Sequence, residues 1–334
     1  RGRPGYRPHV SESTDDIAAL YDEPDRCAQI AGLTYVSADE PGIRRIRRGN
    51  GFSYRHADGR AVGAEVRERL AALVIPPAWQ EVWICRDPNG HLQAVGTDDR
   101  GRKQYLYHPR WREVRDQLNF CRLLGFGERL PAVRRHVDAQ LRRRTVDRDL
   151  VIATMLRIVD CCGIRAGSEI YAEENDSFGL STLSRRHVTI SGRRVRFDFP
   201  AKSGQRAEAL IDDAAVARVV RQLAAHPGRR LFVVDRSPLG ADEVNEELAR
   251  VAGTRVTLKD FRTWRGTSVA FAQLRERLDA DDRDAAVLAA VDAAAEQLGN
   301  TRAVARAHYV HPVVLQGYLD GVRQNQPFGD VVSW

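Results

Sequence analysis

The hydrophobic pattern of this chain changes its period near Pro109, and this change constrains the fold more than any other feature of the sequence. Before Pro109, short strand-like runs alternate with turn signals: Trp83-Ile-Cys85 and Leu92-Gln-Ala-Val95 flank Pro88-Asn89-Gly90, which predicts a hairpin. After Pro109, apolar residues recur at the spacing of an α-helix. Strand patterns followed by helix patterns, rather than alternating with them, indicate the α+β class.

The first pattern predicts a small β-rich domain over residues 26–112, preceded by a loosely held tail over residues 1–25. A strand over Phe52-Ser-Tyr-Arg55 leads into the turn signal Asp58-Gly59. One helix is predicted from Ala64 to Leu73, and the prolines that follow it end it.

The second pattern predicts a mainly helical domain over residues 113–334 with one small sheet of three strands. The first helix carries Val114, Leu118 and Cys121 on one face, and Gly125 is expected to end it. Further helices are predicted over 133–141, 150–162, 244–251, 261–278 and 285–298, with Gly299 as the C-cap of the last. Strands are predicted over 188–190, 195–199 and 207–211, with Lys202-Ser203-Gly204 in the turn between the last two.

Composition excludes several classes of protein. No apolar run approaches the roughly 20 residues of a membrane span, and no signal-peptide core is present, so we expect a cytoplasmic, soluble protein. The five cysteines are odd in number and form no CxxC pair, so neither a disulfide framework nor a zinc site is indicated. The net charge of +7 is compatible with a polyanionic partner without identifying one.

Only three of the 52 basic residues are lysines: Lys103, Lys202 and Lys259. A strong preference for arginine suggests that a remaining lysine does something that arginine cannot. Arginine stays protonated throughout the physiological range, whereas an ammonium group can give up its proton. All three lysines lie in segments that carry other candidate functional residues.

Four short segments carry side chains suited to phosphoryl transfer: Arg165-Ala-Gly-Ser-Glu169, Phe199-Pro-Ala-Lys-Ser203, Lys259-Asp-Phe-Arg-Thr-Trp264, and Leu298-Gly-Asn-Thr301 with Tyr309 nine residues after Asn300. A guanidinium group donates bidentately to phosphate, and a phenol can act as a nucleophile. With the run from Tyr171-Ala-Glu-Glu-Asn175 through Gly179-Leu-Ser-Thr-Leu183 to His187-Val188, these segments resemble the type IB DNA topoisomerases, especially the compact bacterial and poxviral kind. The resemblance runs from about Gly32 to Tyr318.

The resemblance implies an enzyme that relaxes supercoiled DNA through a 3′-phosphotyrosyl intermediate, with no nucleotide or metal cofactor. Tyr309 would be the nucleophile, Arg165 and Arg262 the phosphate-binding arginines, and Lys202 the general acid toward the departing 5′ oxygen. Asn300 stands where poxviral members have histidine; its amide can donate to phosphate but cannot titrate. Either water or Arg165 would take the proton of Tyr309.

The resemblance also implies that the two domains close as a clamp around duplex DNA, with the protein acting as a nucleoid-associated monomer. Further DNA contacts are expected from Lys103, Gln104, Tyr105, Tyr107, Tyr171 and Lys259. Gln104 would read a base edge, while Tyr105 and Tyr107 would contact the sugar–phosphate backbone. For these two tyrosines, packing in the core of a strand is the alternative.

Three other functions compete with this interpretation. A tyrosine recombinase shares the catalytic plan, but usually has histidine where this chain has Lys259. A non-catalytic DNA-binding module would not need five competent catalytic side chains. A metal nuclease or zinc site could be sought at two sets of residues: Asp279, Asp281, Asp282 and Asp284, or His308 and His311. The acidic set suits a helix cap better, and the histidines lack a third ligand.

Overall fold

A computed structural model describes residues 20–49, 51–201 and 204–323. Within these residues the strands are β1 Ile43–Arg48, β2 Gly51–His56, β3 Gln80–Ile84, β4 Leu92–Thr97, β5 Lys103–Tyr107, β6 Val188–Ser191, β7 Arg194–Pro200, β8 Arg206–Asp212, β9 Val233–Val234 and β10 Ser237–Pro238. The α-helices are α1 Pro24–Ile30, α2 Ala64–Ala72, α3 Pro109–Leu141, α4 Arg148–Cys162, α5 Glu169–Glu174, α6 Ala214–Ala225, α7 Ala241–Ala252, α8 Leu258–Arg275, α9 Arg283–Leu298, α10 Arg302–His308 and α11 Pro312–Arg323. The α+β class is confirmed.

The first compact unit contains a five-stranded antiparallel sheet in the order β2-β1-β3-β4-β5. The predicted hairpin is present, since β3 pairs with β4 across the turn at 88–90. Ile43, Ile84 and Ala94 are register partners on one face, and they are buried with Leu70 of α2. This face therefore packs against the core, and β2 and β5 are the two edge strands of the sheet.

The opposite face of the sheet carries a row of register partners that crosses all five strands. The row consists of Arg55, Arg44, Trp83, Val95 and Tyr105. Arg44, Arg55 and Tyr105 are exposed. Polar and aromatic side chains thus lie together on the side of the sheet that α2 does not cover.

The predicted end of the first long helix at Gly125 is wrong, because α3 continues without interruption to Leu141. Phe126, Leu130 and Val133 are buried on this helix, and their burial outweighs the roughly 1 kcal/mol that a glycine costs in a helix. A Cβ at Gly127 would overlap the Trp264 ring, so a glycine is needed there for packing. The division between the two compact units falls within α3, between Arg122 and Leu123.

Helix α4 is the centre of the second unit, and its residues from Leu150 to Leu156 are all buried. Asp147 caps its N-terminus by accepting a hydrogen bond from the Leu150 N–H at 3.0 Å, and Gly163 ends it in the left-handed conformation. The predicted sheet is present in the order β6-β7-β8, and Gly299 caps α9 as predicted. In this unit, helices α5, α6, α10 and α11 were not predicted from the sequence.

Candidate active site

The Arg165 side chain is carried by a loop that follows the end of α4. The backbone of this loop is held by two hydrogen bonds, in which the Leu180 and Ser181 N–H groups donate to the Arg165 and Ala166 carbonyls at 2.8 Å each. Gly167 and Gly179 cross so closely that a Cβ on Gly179 would lie 2.5 Å from the Gly167 nitrogen. The loop is therefore fixed by backbone contacts that no larger residue would permit.

The same segment also touches the sheet. Phe178 N–H donates to the Pro200 carbonyl at 2.9 Å, at the end of β7. Residues 178–181 are therefore hydrogen-bonded both to the Arg165 loop and to the end of β7, the strand that precedes Lys202. Lys202 itself lies outside the described residues.

Arg262, on α8, is 4% exposed and joins two helix ends. One of its η nitrogens donates to the Gly163 carbonyl after α4, and the other donates to the Leu298 carbonyl at the end of α9, at 3.0 Å. Carbonyl groups at helix C-termini carry partial negative charge, which favours a cation there. Burial lowers the pKa of Arg262. Its buried Nε has no hydrogen-bond partner among the described residues.

Asn300 follows the left-handed Gly299 directly, and its N–H donates to the Ala295 carbonyl at 2.8 Å. The Arg165 guanidinium donates to the Asn300 Oδ1 atom. This bond leaves the amide nitrogen Nδ2 as the free end of the side chain, and Nδ2 is buried without a partner in the part of the chain that the structure describes. A buried donor without an acceptor is costly, so the site is suited to receive an acceptor atom.

Tyr309 lies at the C-terminal end of α10, where its ring packs beside Arg262, with the guanidinium carbon 4.7 Å from the ring centroid. Burial raises the pKa of the phenol, but the charges and hydrogen bonds of Arg262 and Arg165 outweigh it, so the pKa of Tyr309 lies below 10.0. The two arginines therefore favour the phenolate form that a nucleophile needs.

The backbone of Tyr309 is held against α8 by two residues that the sequence did not single out. The Thr267 hydroxyl donates to the Tyr309 carbonyl at 3.2 Å and accepts from the His311 N–H at 3.1 Å. A Cβ on Gly266 would lie 2.6 Å from the same carbonyl oxygen, so only glycine allows this approach. Both residues occupy ordinary positions in a helix, and no sequence signal distinguishes them.

The structure thus brings four of the five predicted catalytic residues together: Arg165, Arg262, Asn300 and Tyr309. Lys259 is exposed and lies one helical turn before Arg262 on α8. Tyr171 is 45% exposed on α5.

The remaining DNA-contact candidates lie on edge strand β5 in the first unit. Lys103, Tyr105 and Tyr107 point to one face, and the two tyrosine rings stack with centroids 6.1 Å apart. Tyr105 is 48% exposed, whereas Tyr107 packs partly against the core. Gln104 points to the other face, where its amide nitrogen donates to Asp98 Oδ2 at 2.9 Å.

The structure accounts for the residues that suggested a metal site. The Asp282 side chain accepts a hydrogen bond from the Ala285 N–H at 2.9 Å, so it is the N-cap of α9. His308 is exposed at the end of α10, and His311 is buried. Among the described residues, no three His, Cys, Asp or Glu side chains are arranged to hold a metal ion. No helix in the same ranges is both long and apolar enough to cross a bilayer.

Comparison with known proteins identifies the family to which the chain belongs. Residues 108–326 match the family model described as the catalytic core of eukaryotic DNA topoisomerase I. Residues 51–98 match the N-terminal domain of bacterial DNA topoisomerase IB. Among solved structures, a XerH site-specific recombinase bound to a palindromic difH substrate matches with a TM-score of 0.37 and 15% identity, over 55% of this chain and 47% of that one.

Two viral relatives cover most of the chain. DNA topoisomerase 1B of Acanthamoeba polyphaga mimivirus is 33% identical over 307 residues, which span 86% of this chain and 88% of the relative. DNA topoisomerase 1B of vaccinia virus (strain Copenhagen) is 22% identical over 282 residues, which span 78% and 80% of the two chains. Both the extent of these matches and the match to the catalytic core show that the chain belongs to the type IB DNA topoisomerases.

Proposed function

We propose that this enzyme relaxes supercoiled duplex DNA by cutting and resealing one strand through a 3′-phosphotyrosyl intermediate, without ATP or a metal ion. The observation that carries the proposal is the position of Tyr309 beside two guanidinium groups, with the Asn300 amide donor next to Arg165. This arrangement combines a nucleophile with donors for the charge that develops on a phosphate.

In the cleavage step, a bond forms between the Tyr309 oxygen and phosphorus while the bond between phosphorus and the 5′ oxygen breaks. The phenol loses its proton to water, because the Arg165 guanidinium stays protonated, and the 5′ oxygen gains a proton from Lys202. Asn300 Nδ2 and Arg165 donate to the non-bridging oxygens. The buried Arg262 favours the phenolate, and its free Nε can donate to phosphate as well. Religation reverses these steps, because the phosphotyrosyl bond keeps the energy of the broken ester.

Duplex DNA is the proposed partner, enclosed by the two domains 26–112 and 113–334 as a clamp, and the protein acts on it as a monomer at the nucleoid. Lys103, Gln104, Tyr105 and Tyr107 of β5, together with Tyr171 and Lys259, would contact the DNA. The exposed positions of Tyr105, Tyr171 and Lys259 support this assignment. The partial burial of Tyr107 favours a packing role alongside any contact.

The test is incubation of supercoiled plasmid with the protein in the presence of EDTA and without ATP. Wild type should give a ladder of relaxed topoisomers, whereas Tyr309→Phe should bind DNA but form no covalent adduct. The matched control is Tyr318→Phe, which removes a buried hydroxyl that donates to the Arg277 carbonyl, away from the site. An adduct formed by Tyr309→Phe would refute the nucleophile, and recombinant products instead of topoisomers would favour the recombinase.

A further inference from the structure

Arg230 is a partly buried arginine that lies outside the segments that suggested the function. One of its η nitrogens donates to the Thr182 carbonyl at 2.6 Å, and the other donates to the Glu169 carboxylate. Its side chain is 21% exposed, so most of it is shielded from solvent. Arg230 therefore joins the first residue of α5 to the chain that follows this helix.

Both of these contact points belong to the support of Arg165. Glu169 ends the segment that begins at Arg165, and Thr182 directly follows the segment 178–181, whose N–H groups donate to carbonyls of the Arg165 loop. The Thr182 hydroxyl also accepts from the Gly179 N–H at 2.9 Å, beside the crossing of the two glycines. The contacts thus form a closed circuit, in which Arg230 connects the far end of the loop to the segment that holds its near end.

The backbone of Arg230 is anchored in the core of the second unit. It forms an antiparallel bridge with Ser184, and the next N–H, that of Leu231, donates to the Leu183 carbonyl at 2.8 Å. Leu183, Leu231 and Phe232 are all buried in the same hydrophobic cluster. The guanidinium group is therefore held by a close-packed part of the fold.

The two contacts of Arg230 need the shape of arginine. A guanidinium group carries its donors in a fixed planar fork, so it can bond to a carboxylate and to a carbonyl at the same time. A carboxylate paired with such a fork is restrained in direction as well as in distance. A loop that is restrained at both ends holds its side chains in one place, which a catalytic group requires.

We propose that Arg230 is a positioning residue for Arg165 and acts on it through the loop. By holding Glu169 and Thr182, Arg230 keeps the loop in the place from which the Arg165 guanidinium reaches Asn300. This inference rests on the proposed function, in which Arg165 stabilises negative charge on the non-bridging oxygens of the phosphate. Loss of Arg230 should therefore slow the chemical step and leave the binding of DNA unchanged.

The experiment measures single-turnover cleavage of two duplexes, one ordinary and one in which a methyl group replaces a non-bridging oxygen of the scissile phosphate. The methyl group removes the negative charge that Arg165 stabilises. Arg230→Gln should cleave the ordinary duplex about tenfold to a hundredfold more slowly than wild type, because a small misplacement of a catalytic group has this cost. On the uncharged phosphate, Arg230→Gln and Arg165→Gln should both cleave within about threefold of wild type, since the charge they act on is absent. In the Tyr309→Phe background, Arg230→Gln should bind the ordinary duplex with unchanged affinity.

Two further variants separate positioning from general damage. The matched control is Arg218→Gln, since Arg218 is also partly buried and donates to the Leu141 and Arg143 carbonyls at 2.9 and 2.8 Å, at the end of α3. This control should cleave at the wild-type rate. Glu169→Gln removes the charge that Arg230 binds and should slow cleavage by a smaller factor, about threefold, again on the ordinary duplex only. If Arg230→Gln does not fold, Glu169→Gln decides.

A double variant completes the test. Arg230→Gln should slow cleavage no further in the Arg165→Gln background, because both changes remove the same contribution. Wild-type cleavage by Arg230→Gln, equal slowing on both duplexes, or a further loss in the double variant would overturn the inference. The proposed function survives these three outcomes if Arg165→Gln is itself slow on the ordinary duplex alone. If Arg165→Gln is as fast as wild type, the phosphate-binding role in the proposed function is wrong, and the inference falls with it.

Discussion

Replacing Asn300 with aspartate exchanges one amide nitrogen for oxygen and leaves the size of the side chain unchanged. The Arg165 guanidinium donates to Oδ1, and this bond survives the exchange because a carboxylate accepts it equally well. Only the buried Nδ2 donor is lost. The substitution therefore isolates the donor that we assign to the phosphate.

Loss of one donor to a transition state slows a reaction roughly 10²–10³-fold, and this is the expected effect of Asn300→Ala on cleavage. Asn300→Asp should be at least as slow, because its carboxylate also repels the phosphate. Two unit charges about 4 Å apart repel by about 4 kcal/mol at an effective dielectric constant near 20, which the ion pair with Arg165 partly offsets. Asn300→His should keep substantial activity, since imidazole can donate to the same oxygen.

The assay is single-turnover formation of the covalent adduct at saturating enzyme, so that weaker DNA binding does not contribute. Asn245→Asp is the matched control, because its Oδ1 accepts from the Leu258 N–H at 2.9 Å and an aspartate accepts there too. That variant should cleave at the wild-type rate. An Asn300→Ala enzyme as fast as wild type would refute the phosphate contact, and a fast Asn300→Asp enzyme would show that the amide donor is not used.

Three further predictions follow from the same site. Lys202→Arg should cleave nearly as slowly as Lys202→Ala. A DNA substrate with sulfur in place of the bridging 5′ oxygen should restore cleavage to both variants, but not to Arg262→Ala. Equal rescue of all three variants would exclude Lys202 as the general acid. Because the pKa of Tyr309 is lowered, the cleavage rate of wild type should rise with pH and level off below pH 10.0. In Arg165→Gln the rate should level off at a higher pH, because one of the charges that lower this pKa is removed. A plateau at the same pH in both proteins would contradict the role of Arg165. Thr267→Val removes a buried hydroxyl with two partners, so it should lower the unfolding free energy by about 1–3 kcal/mol in a denaturation series. It should also slow cleavage about tenfold. If the variant cleaves at the wild-type rate, Tyr309 does not need this support.

The parts of the fold that the sequence predicts are those determined by local patterns. The hairpin at 88–90, helix α4 and the Gly299 cap depend on turn residues and on periodicity within a few residues. Helix α6 also has a local helix signal, because Asp213 caps its N-terminus and its apolar residues share one face. It was not predicted because a strand pattern ends just before it. The helix end at Gly125 was wrong because burial of Phe126 and Leu130 in the core is not a local property.

The candidate site also has a part that local sequence segments indicate and a part that depends on contacts distant in the sequence. Arg165, Asn300 and Tyr309 could be named because each lies in a short recognisable segment. Arg262 could be named as a candidate, but its contacts could not be predicted, because its η nitrogens bond to carbonyls 99 and 36 residues away in the sequence. The Thr267 hydroxyl bonds to a carbonyl 42 residues away. No spacing in a single sequence indicates such contacts, since they arise where helix ends meet in space.

The segment Phe178–Ser181 connects two parts of the proposed catalytic site, the Arg165 loop and the end of β7. It is hydrogen-bonded to the Arg165 loop through Leu180 and to the Pro200 carbonyl through Phe178. We therefore expect a displacement of β7 near its end to shift the arginine loop, and by reciprocity we expect a change in the loop to affect the strand. Substitutions at Gly179 and in the turn after β7 should accordingly be non-additive in their effects on cleavage, although no side chain of one need touch the other.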